Sequence, residues 1–420
     1  MTLDHHSNHY SAALSIATLL KNSGFIAYFV GGWVRDHLLK HPSSDIDIAT
    51  DASCDEIIAL FPKTIPVGIA FGVVVVIVDA YHFEVATFRE EEGYKDGRRP
   101  TRIKPSTPEH DAKRRDFTIN GLFFDPETKT LIDYVEGQKD LKKGIVRAIG
   151  NPQDRFAEDK LRMIRAARYT ARFGFALEHA TKQAIIKYAN TLLPAVSVER
   201  IVQEFSKMQA FDNFDKALVL MHELKLLPLI IPQTKNWNAQ EITSLTKQFH
   251  AYPKTTPLIL YIMQLLPTST LEEKLAFTTK FKFSKKTHQL VQFYHASQQL
   301  FKTKNLSNID DATWVEQYAS PWFTFCLEVH LVHIEPEQRD ALLQFHVDKE
   351  RKHRAAIERA QTHSTLLTAH DLEKEGIFPS ALMGTLLRQS EKIAINHNLS
   401  HREEILQKLK QSNAWPQKFS

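Results

Sequence analysis

The spacing of apolar residues divides this chain in two. Up to about residue 150, short apolar runs alternate with helical ones. Residues 10–21 repeat apolar positions at three and four and predict a helix. FIAYFV (25–30) predicts a strand, residues 34–39 a helix and residues 46–49 a second strand. Residues 71–79 and 82–88 read as two β-runs joined by the hairpin turn DAY. The following stretch, EEEGYKDGRRPTRIKPSTPEHDAKRR, is charged and carries Gly and Pro, and is expected to be a mobile loop. Strand-like patterning returns at 118–125 and 130–134. From Arg155 onward apolar residues recur at three and four, with breaks at Pro194, Pro228, Pro232, Pro253, Pro267 and Pro321. The expected class is α+β: a head with a mixed sheet and helices, then an all-helical remainder. No internal repeat period is visible.

Composition narrows the reading. A length of 420 residues implies two to four domains, and 43% hydrophobic residues imply a globular protein. The formal net charge is only +4, so a surface for nucleic acid must be local. Cys54 and Cys326 are too few and too far apart for a disulfide framework or zinc site, which suits a reducing cytoplasm. The N-terminus MTLDHHSNHY lacks a secretory apolar region, and the longest apolar run, VVVVIV, is too short to span a bilayer. A cytoplasmic protein without a membrane segment is expected.

The candidate chemistry begins in VGGWVRDHLLKHPSSDIDIAT, residues 30–50. With a side-chain period of two, Asp45 and Asp47 project from one face of a strand while Ile46 and Ile48 bury on the other. Two adjacent carboxylates repel unless a cation lies between them, and Mg²⁺ is commonly held by one or two carboxylates plus substrate phosphates. Gly31 and Gly32, between an apolar strand and a helix that carries Arg35, would let backbone N–H groups approach a phosphate. Alone, a DxD is usually a solvated pair and a Gly-Gly an ordinary turn; the combination reads as a metal–nucleotide site.

Further positions extend it. Glu84 in HFEVATFR could supply a third acid from an adjacent strand, or be an exposed strand residue. Arg115 in KRRDFTIN suits phosphate or ribose recognition through its planar fork, unless the cluster is only a basic surface. EDKLRMIRAARYTARFGF (158–175) reads as one helix, with Asp159, Arg162, Arg165, Arg168 and Arg172 stacked along a face. That face is either a salt-bridged solvent surface or a reader of a base edge, because an Asp–Arg pair offers both acceptors and donors. The doublets His110-Asp111 and His370-Asp371 lack the additional ligands of a metal phosphohydrolase. Lys280, Lys282, Lys285, Lys286, Lys302 and Lys304 form the best local candidate for an RNA-backbone contact.

Taken in order, VGGWVRDHLLK…SDIDIAT, FGVVVVIVDAYHFEVATFR, YKDGRRP, RRDFTING, LIDYVEGQKDLKKGIVRAIG, RFAEDKLRMIRAARYTARFGF, VSVERIVQEFSKM and LLTAHDLEKEGIFPSALMGTLL resemble the class II tRNA nucleotidyltransferase / poly(A) polymerase family. This family lies within the polymerase beta-like nucleotidyltransferases, and the likeness covers nearly the whole chain. Lys40 departs from it, standing where the family usually has glycine. The resemblance implies a catalytic head at 1–149, a helical neck at 150–209, a body at 210–345 and a tRNA-binding tail at 346–420. It implies that Asp45 and Asp47 bind catalytic Mg²⁺ with Glu84 in support, that Gly31, Gly32 and Arg35 meet the triphosphate, and that Arg115 meets ribose and phosphates. Asp159 and Arg162 would read the base, Arg165 and Arg168 would support the nucleotide, and the segment 90–105 would help switch between CTP and ATP. The implied activity is template-independent addition of CCA to tRNA from CTP and ATP. A poly(A) polymerase, a CC-adding or A-adding specialist, and a non-catalytic RNA-binding protein remain the alternatives. The oligomeric state is left open.

Overall fold

The structure is a computed structural model that describes residues 3–43, 45–94 and 100–416. The chain forms two compact units, Met1–His250 and Ala251–Ser420.

The first unit opens with helix α1 (Leu3–Asn22), strand β1 (Ala27–Val30), helix α2 (Gly32–Leu38), strand β2 (Asp47–Thr50) and helix α3 (Cys54–Leu60). The start of α3 is fixed by a reciprocal cap: Ser53 accepts from the Glu56 backbone N–H, and the Glu56 side chain accepts from that of Ser53. Strands β3 (Thr64–Gly68), β4 (Val73–Val78) and β5 (Tyr81–Thr87) follow. Next come β6 (Arg89–Tyr94), β7 (Pro100–Pro105), helix α4 (Pro108–Lys113), β8 (Leu122–Asp125) and β9 (Thr130–Asp133). The main sheet has seven strands in the order β3-β4-β5-β2-β1-β8-β9. Its pairs are antiparallel except β2 with β5, where Ile48 lies opposite Val85. The sheet is therefore mixed, as the patterning implied.

Period-two alternation explains which face is covered. Phe29, Ile48, Val74, Val76, Phe83 and Val85 are buried, and so are Ala13, Ile16 and Leu20 of α1 and Ile57 of α3. Each large side chain removed from water in this layer contributes about 1.5–3 kcal/mol. On the opposite face Asp47, Val73, Val75 and Ala86 are only partly buried and Glu84 is exposed.

Several expectations need correction. Residues 89–113 are not simply a loop: β6 and β7 form a two-stranded antiparallel ribbon, and α4 follows. The ribbon has no apolar face, so hydrophobic patterning did not reveal it. The ribbon's tip, residues 95–99, lies outside the described residues, as does Ser44. Strand β2 begins only at Asp47, which leaves Asp45 in the preceding loop rather than on the strand. Residues 118–120 form a 3₁₀ turn ahead of β8. Lys40 has φ of 57°. This is the left-handed conformation that glycine adopts freely and that costs another residue about 1–2 kcal/mol, which gives the family's usual glycine its reason.

After α5 (Gly137–Lys143) and β10 (Ile145–Val146) the unit becomes helical: α6 (Pro152–Glu158), α7 (Leu161–Phe173), β11 (Ala176–Leu177), α8 (His179–Tyr188), α9 (Val198–Gln209) and α10 (Phe214–Glu223). Strand β10 pairs in parallel with β11, so the end of the expected head is tied to the expected neck. The segment read as a single helix from residue 158 breaks at Asp159, whose backbone is extended (φ −141°, ψ 105°). Its carboxylate accepts from the Leu161 N–H at 3.0 Å, the local bond by which Asp competes with helix continuation.

The second unit holds ten helices among the described residues, from Leu258–Gln264 to Arg402–Lys410. Helices Ala381–Asn396 and Arg402–Lys410 pack around Leu372, Met383, Leu386, Ile405 and Leu409. His370-Asp371, the second doublet, is a capping device: Asp371 accepts from the Thr368 N–H at 2.8 Å while Thr368 caps the Asp371 N–H. A second cluster surrounds His346, which is 1% exposed and hydrogen-bonded to the Tyr318 hydroxyl at 3.0 Å. His330 stacks on Phe301 with ring centres 4.4 Å apart.

Burial pushes both histidines down to about 4, with His333 adding to the effect at His330 and His330 at His346. Their unfolded counterparts titrate near 6.5. Between those values the unfolded chain binds more protons, so stability should fall as pH drops from 6.5 to 4, by up to about 3 kcal/mol per histidine. Urea denaturation of the full chain at several pH values measures this slope. His346→Gln should flatten it; an unchanged slope would count against the buried neutral histidine.

Candidate active site

The site is built where β1 ends. Gly31 has φ 72° and ψ −132°, a conformation closed to residues with a side chain. A Cβ added there would lie 3.4 Å from Arg115 Nη1 and 3.7 Å from Asp47 Oδ2. These are ordinary contact distances, so it is the positive φ rather than a lack of space that calls for glycine where a cationic fork and a carboxylate meet over the backbone. At Gly32 the same hypothetical atom would lie 3.6 Å from Arg35 Nη2.

Around this point is a cavity of ≈ 330 Å³. Gly31, Gly32, Asp47 and Arg115 line it, and Asp159, Arg162, Arg165, Tyr169 and Arg200 also contribute. Arg114, Asp116, Asn120 and Leu161 complete the wall. The volume is in the range of small-molecule sites. Arg35, Asp45, Glu84 and Arg168, also read as site residues, do not line it.

Asp47 is the carboxylate most out of balance. Burial, then the charges of Asp45 and Glu84, push it up to about 7 against the partial relief of Arg115. The register explains the crowding: Ile48 opposes Val85, so Asp47 and Glu84 come next to each other on one face. Among the described residues no group of three His, Cys, Asp or Glu side chains is arranged to hold a metal by itself. The donor set fits Mg²⁺ in the other way this ion is held, by one or two carboxylates with substrate phosphates completing the shell.

Arg115 is fixed from below. Asp111 on α4, 1% exposed, accepts from Arg115 at 2.8 Å and from Arg114 at 2.8 Å. Burial opposes its ionisation, but the two guanidiniums hold its carboxyl below the usual range. The first His-Asp doublet is thus an arginine clasp. Arg114 also reaches Glu91 of the ribbon at 2.8 Å.

The arginine face of α7 is not a solvated surface. Arg165 pairs with Asp116 at 2.7 Å, Arg168 with Glu204 at 2.6 Å, and Arg172 with Asp36 at 3.0 Å. Burial works against the Asp116 charge, yet Arg165, Asn120 and Arg162 hold it down to about 2. Arg165 is held correspondingly high, above the ordinary arginine value, chiefly by Asp116 against burial. Arg35 is 2% exposed, bound to Asp36 at 2.9 Å and to Asn120, and lies over Tyr169 at 5.0 Å. Arg35 and Arg168 therefore sit beneath the cavity.

Asp159 and Arg162 both face the cavity, but their side chains do not bond each other; only the Arg162 backbone N–H donates to the Asp159 carbonyl, at 3.1 Å. Asp159 receives both Arg200 nitrogens, at 3.2 and 2.8 Å. Arg162 binds Glu158 at 2.7 Å and donates to the Arg155 and Arg114 carbonyls. Residues missed from the sequence are Arg114, Asp116, Asn120, Tyr169 and Arg200. Asp116 and Asn120 stood inside a block already singled out. Arg200 had no local signal, because it reaches Asp159 from α9, 41 positions away.

Comparison with known proteins places the chain in a family. Residues 27–147 match the poly(A) polymerase head domain, and residues 174–238 match a domain described as a probable RNA and SrmB-binding site of polymerase A. A CCA-adding enzyme of Anoxybacillus flavithermus is 46% identical over 218 residues, 52% of this chain; against that relative the chain spans about half the length, 54%. A CCA-adding enzyme of Streptococcus mutans is 32% identical over 97% of this chain and 98% of its own length. Among solved structures, the Bacillus stearothermophilus CCA-adding enzyme in complex with CTP superposes with a TM-score of 0.76 at 27% identity, over 96% of this chain and 97% of that one. A Thermotoga maritima CCA-adding enzyme, 19% identical over 95% of this chain and 94% of that one, shares the fold with a TM-score of 0.61. With a relative aligned from end to end at this identity, the chain belongs to the CCA-adding enzyme family.

Proposed function

We propose that this protein adds CCA to the 3′ end of tRNA, taking CTP and ATP and releasing pyrophosphate. The observation that carries this reading is the single cavity that joins Gly31, Asp47 and Arg115 at one end to Asp159 and Arg162 at the other. One end suits a triphosphate and the other a base.

In this mechanism Gly31 and Gly32 leave backbone open to the phosphates, and Arg115, oriented by Asp111, neutralises them. Asp45 and Asp47, with Glu84 in support, would hold Mg²⁺. When bound, the ion supplies charge neutralisation and lowers the pKa of the attacking hydroxyl. The RNA 3′ oxygen bonds to the α-phosphorus as the bond to the pyrophosphate oxygen breaks, and the hydroxyl loses its proton. The chain's contribution is mostly positioning in line, as for phosphoryl transfer generally.

Base choice follows from donor and acceptor chemistry. Cytosine and adenine each present an exocyclic amine beside a ring-nitrogen acceptor, which a carboxylate and a guanidinium can satisfy together. Uracil and guanine present a carbonyl where the amine would be, and the Asp159 carboxylate would repel it. Arg165 and Arg168 would support the nucleotide by holding the helix, and Tyr169 forms part of the cavity wall. In the second unit Lys280, Lys282, Lys285, Lys286, Lys302 and Lys304 are exposed and suit RNA phosphates. A tRNA substrate makes the cytoplasm the place of work, and no helix among the described residues is long and apolar enough to cross a membrane. The division into head, neck, body and tail at 149, 209 and 345 is kept as a working map.

The deciding experiment supplies tRNA transcripts lacking CCA, CA or A with CTP and ATP singly and together. Growth by C, C and A that then stops is expected; a long A tail would favour a poly(A) polymerase instead. Asp45→Ala should abolish incorporation and leave tRNA binding intact, and residual activity would refute its assignment to the metal. Asp159→Ala or Arg162→Ala should relax nucleotide choice more than it weakens RNA affinity, and unchanged selectivity would sink the base-reading role.

Asp47 provides a test outside catalysis. Its folded pKa of about 7 lies above its unfolded value, so in chelator-treated protein the folded state binds more protons between about pH 4 and 7. The contribution of Asp47 to stability should fall as pH rises through that window, opposing the rise that His330 and His346 give over the same range. Asp47→Asn should remove this opposing contribution, so that stability rises more steeply with pH than in the native chain, and raise the melting temperature at pH 8 while eliminating incorporation. No gain in melting temperature would contradict the crowding of acids.

A further inference from the structure

The carboxylate face of the sheet does not end at Glu84. Glu84 lies opposite Val75, and Val75 opposite Ile65, so the row that starts at Asp47 runs on into apolar side chains. Val73 and Ile77 flank Val75 on the same face. These three strand residues are half-buried, in contrast to Val74 and Val76, which point to the opposite face and are fully buried. At the sheet edge Ile65 is 38% and Val67 76% exposed. An apolar strip therefore abuts the acids on the side away from Gly31 and Arg115.

We propose that this strip, centred on Ile65 and Val75, seats the 3′-terminal nucleosides of the acceptor RNA; the proposal rests on the nucleotidyl-transfer reading and names where the second substrate of that site lies. Three observations lead there. The nucleotide cavity occupies the Gly31–Arg115 side of Asp47, so pyrophosphate leaves on that side. An in-line displacement brings the attacking oxygen from the opposite side, over β5 and β4. Finally, the RNA end changes at each of the three additions, so hydrogen-bond readout of one base would fail on the next. Apolar side chains contact the face of any base or ribose, and because every base presents such a face the contact tolerates sequence, as aromatic stacking does. The strip offers no donor of its own between Glu84 and Ile65, and its surface matches the uncharged faces of a nucleoside rather than the phosphates.

The test uses the full chain and tRNA carrying 2-aminopurine as the 3′-terminal nucleotide. 2-Aminopurine is quenched by stacking on its neighbouring base, and seating its face on aliphatic side chains removes that stack, so emission should rise on binding to the native protein and rise less with Ile65→Ser and Ile65→Ser/Val75→Thr. In parallel, KM for tRNA should rise about five- to tenfold in the double variant, while KM for CTP stays within twofold. Ile65→Met, which keeps the apolar surface, should restore both readouts. An equal change in emission and unchanged KM for tRNA in all variants would overturn the proposal. So would a protein dimer, formed by strand pairing along β3 and lost with Ile65→Ser, with RNA kinetics unaltered. Failure of the native protein to extend any tRNA with CTP would instead remove the proposed function, and the binding signal would still decide the seat of the RNA end.

Discussion

The site rests on one set of interactions, the arginines of α7 paired with acids from other elements. Arg165 reaches Asp116 ahead of β8, Arg172 reaches Asp36 on α2, and Arg168 reaches Glu204 on α9. Arg168 and Glu204 are both nearly inaccessible, with 6% and 3% of their side chains exposed. A buried pair of this kind is not a cheap source of stability, because desolvation offsets most of the attraction. Removing one partner, however, strands a charge and costs about 3–5 kcal/mol. The ladder therefore specifies one position of α7 against the sheet. That position sets the distance across the cavity from Asp159 and Arg162 to Gly31 and Asp47.

Charge around the cavity is arranged in opposite ways at its two ends. Around Asp47 acids are crowded without enough cations, and its carboxyl is pushed up to about 7. At the helix end every acid has an arginine, and Asp116 is ionised even in acid. The first arrangement is poised for an incoming cation, the second for rigidity. Asp111 lies between them in character, since it spends its charge on holding Arg115 in place rather than on chemistry.

Much of this was legible in the sequence because local patterns carry it. The continuous apolar run VVVVIV gave β4, the alternation in HFEVATFR gave β5 and the face of Glu84, and the glycine pair marked a turn that Gly31's φ of 72° requires. The arginine stripe was visible as a stripe. Its meaning was not, because Asp36, Asp116 and Glu204 are distant in sequence and only tertiary structure supplies them. The break at Asp159 was hidden by helical periodicity on both sides, and a single side chain bonding the next backbone N–H overrode it. The β6–β7 ribbon carries polar residues on both faces, so nothing in its hydrophobicity distinguished strand from loop.

The pairing of β2 with β5 has a consequence of another kind. It is the one parallel seam among the described strands of the main sheet, and the residues it joins, Ile48 and Val85, are far apart along the chain. A hairpin such as β4–β5 can close as soon as its turn forms, but a parallel seam waits for its whole crossover, here α3, β3 and β4. Asp47 and Glu84 are thus separated in any chain that has formed only its hairpins. Assembly order itself then acts as a safeguard, since a partly folded chain has local structure but has not yet joined these two acids.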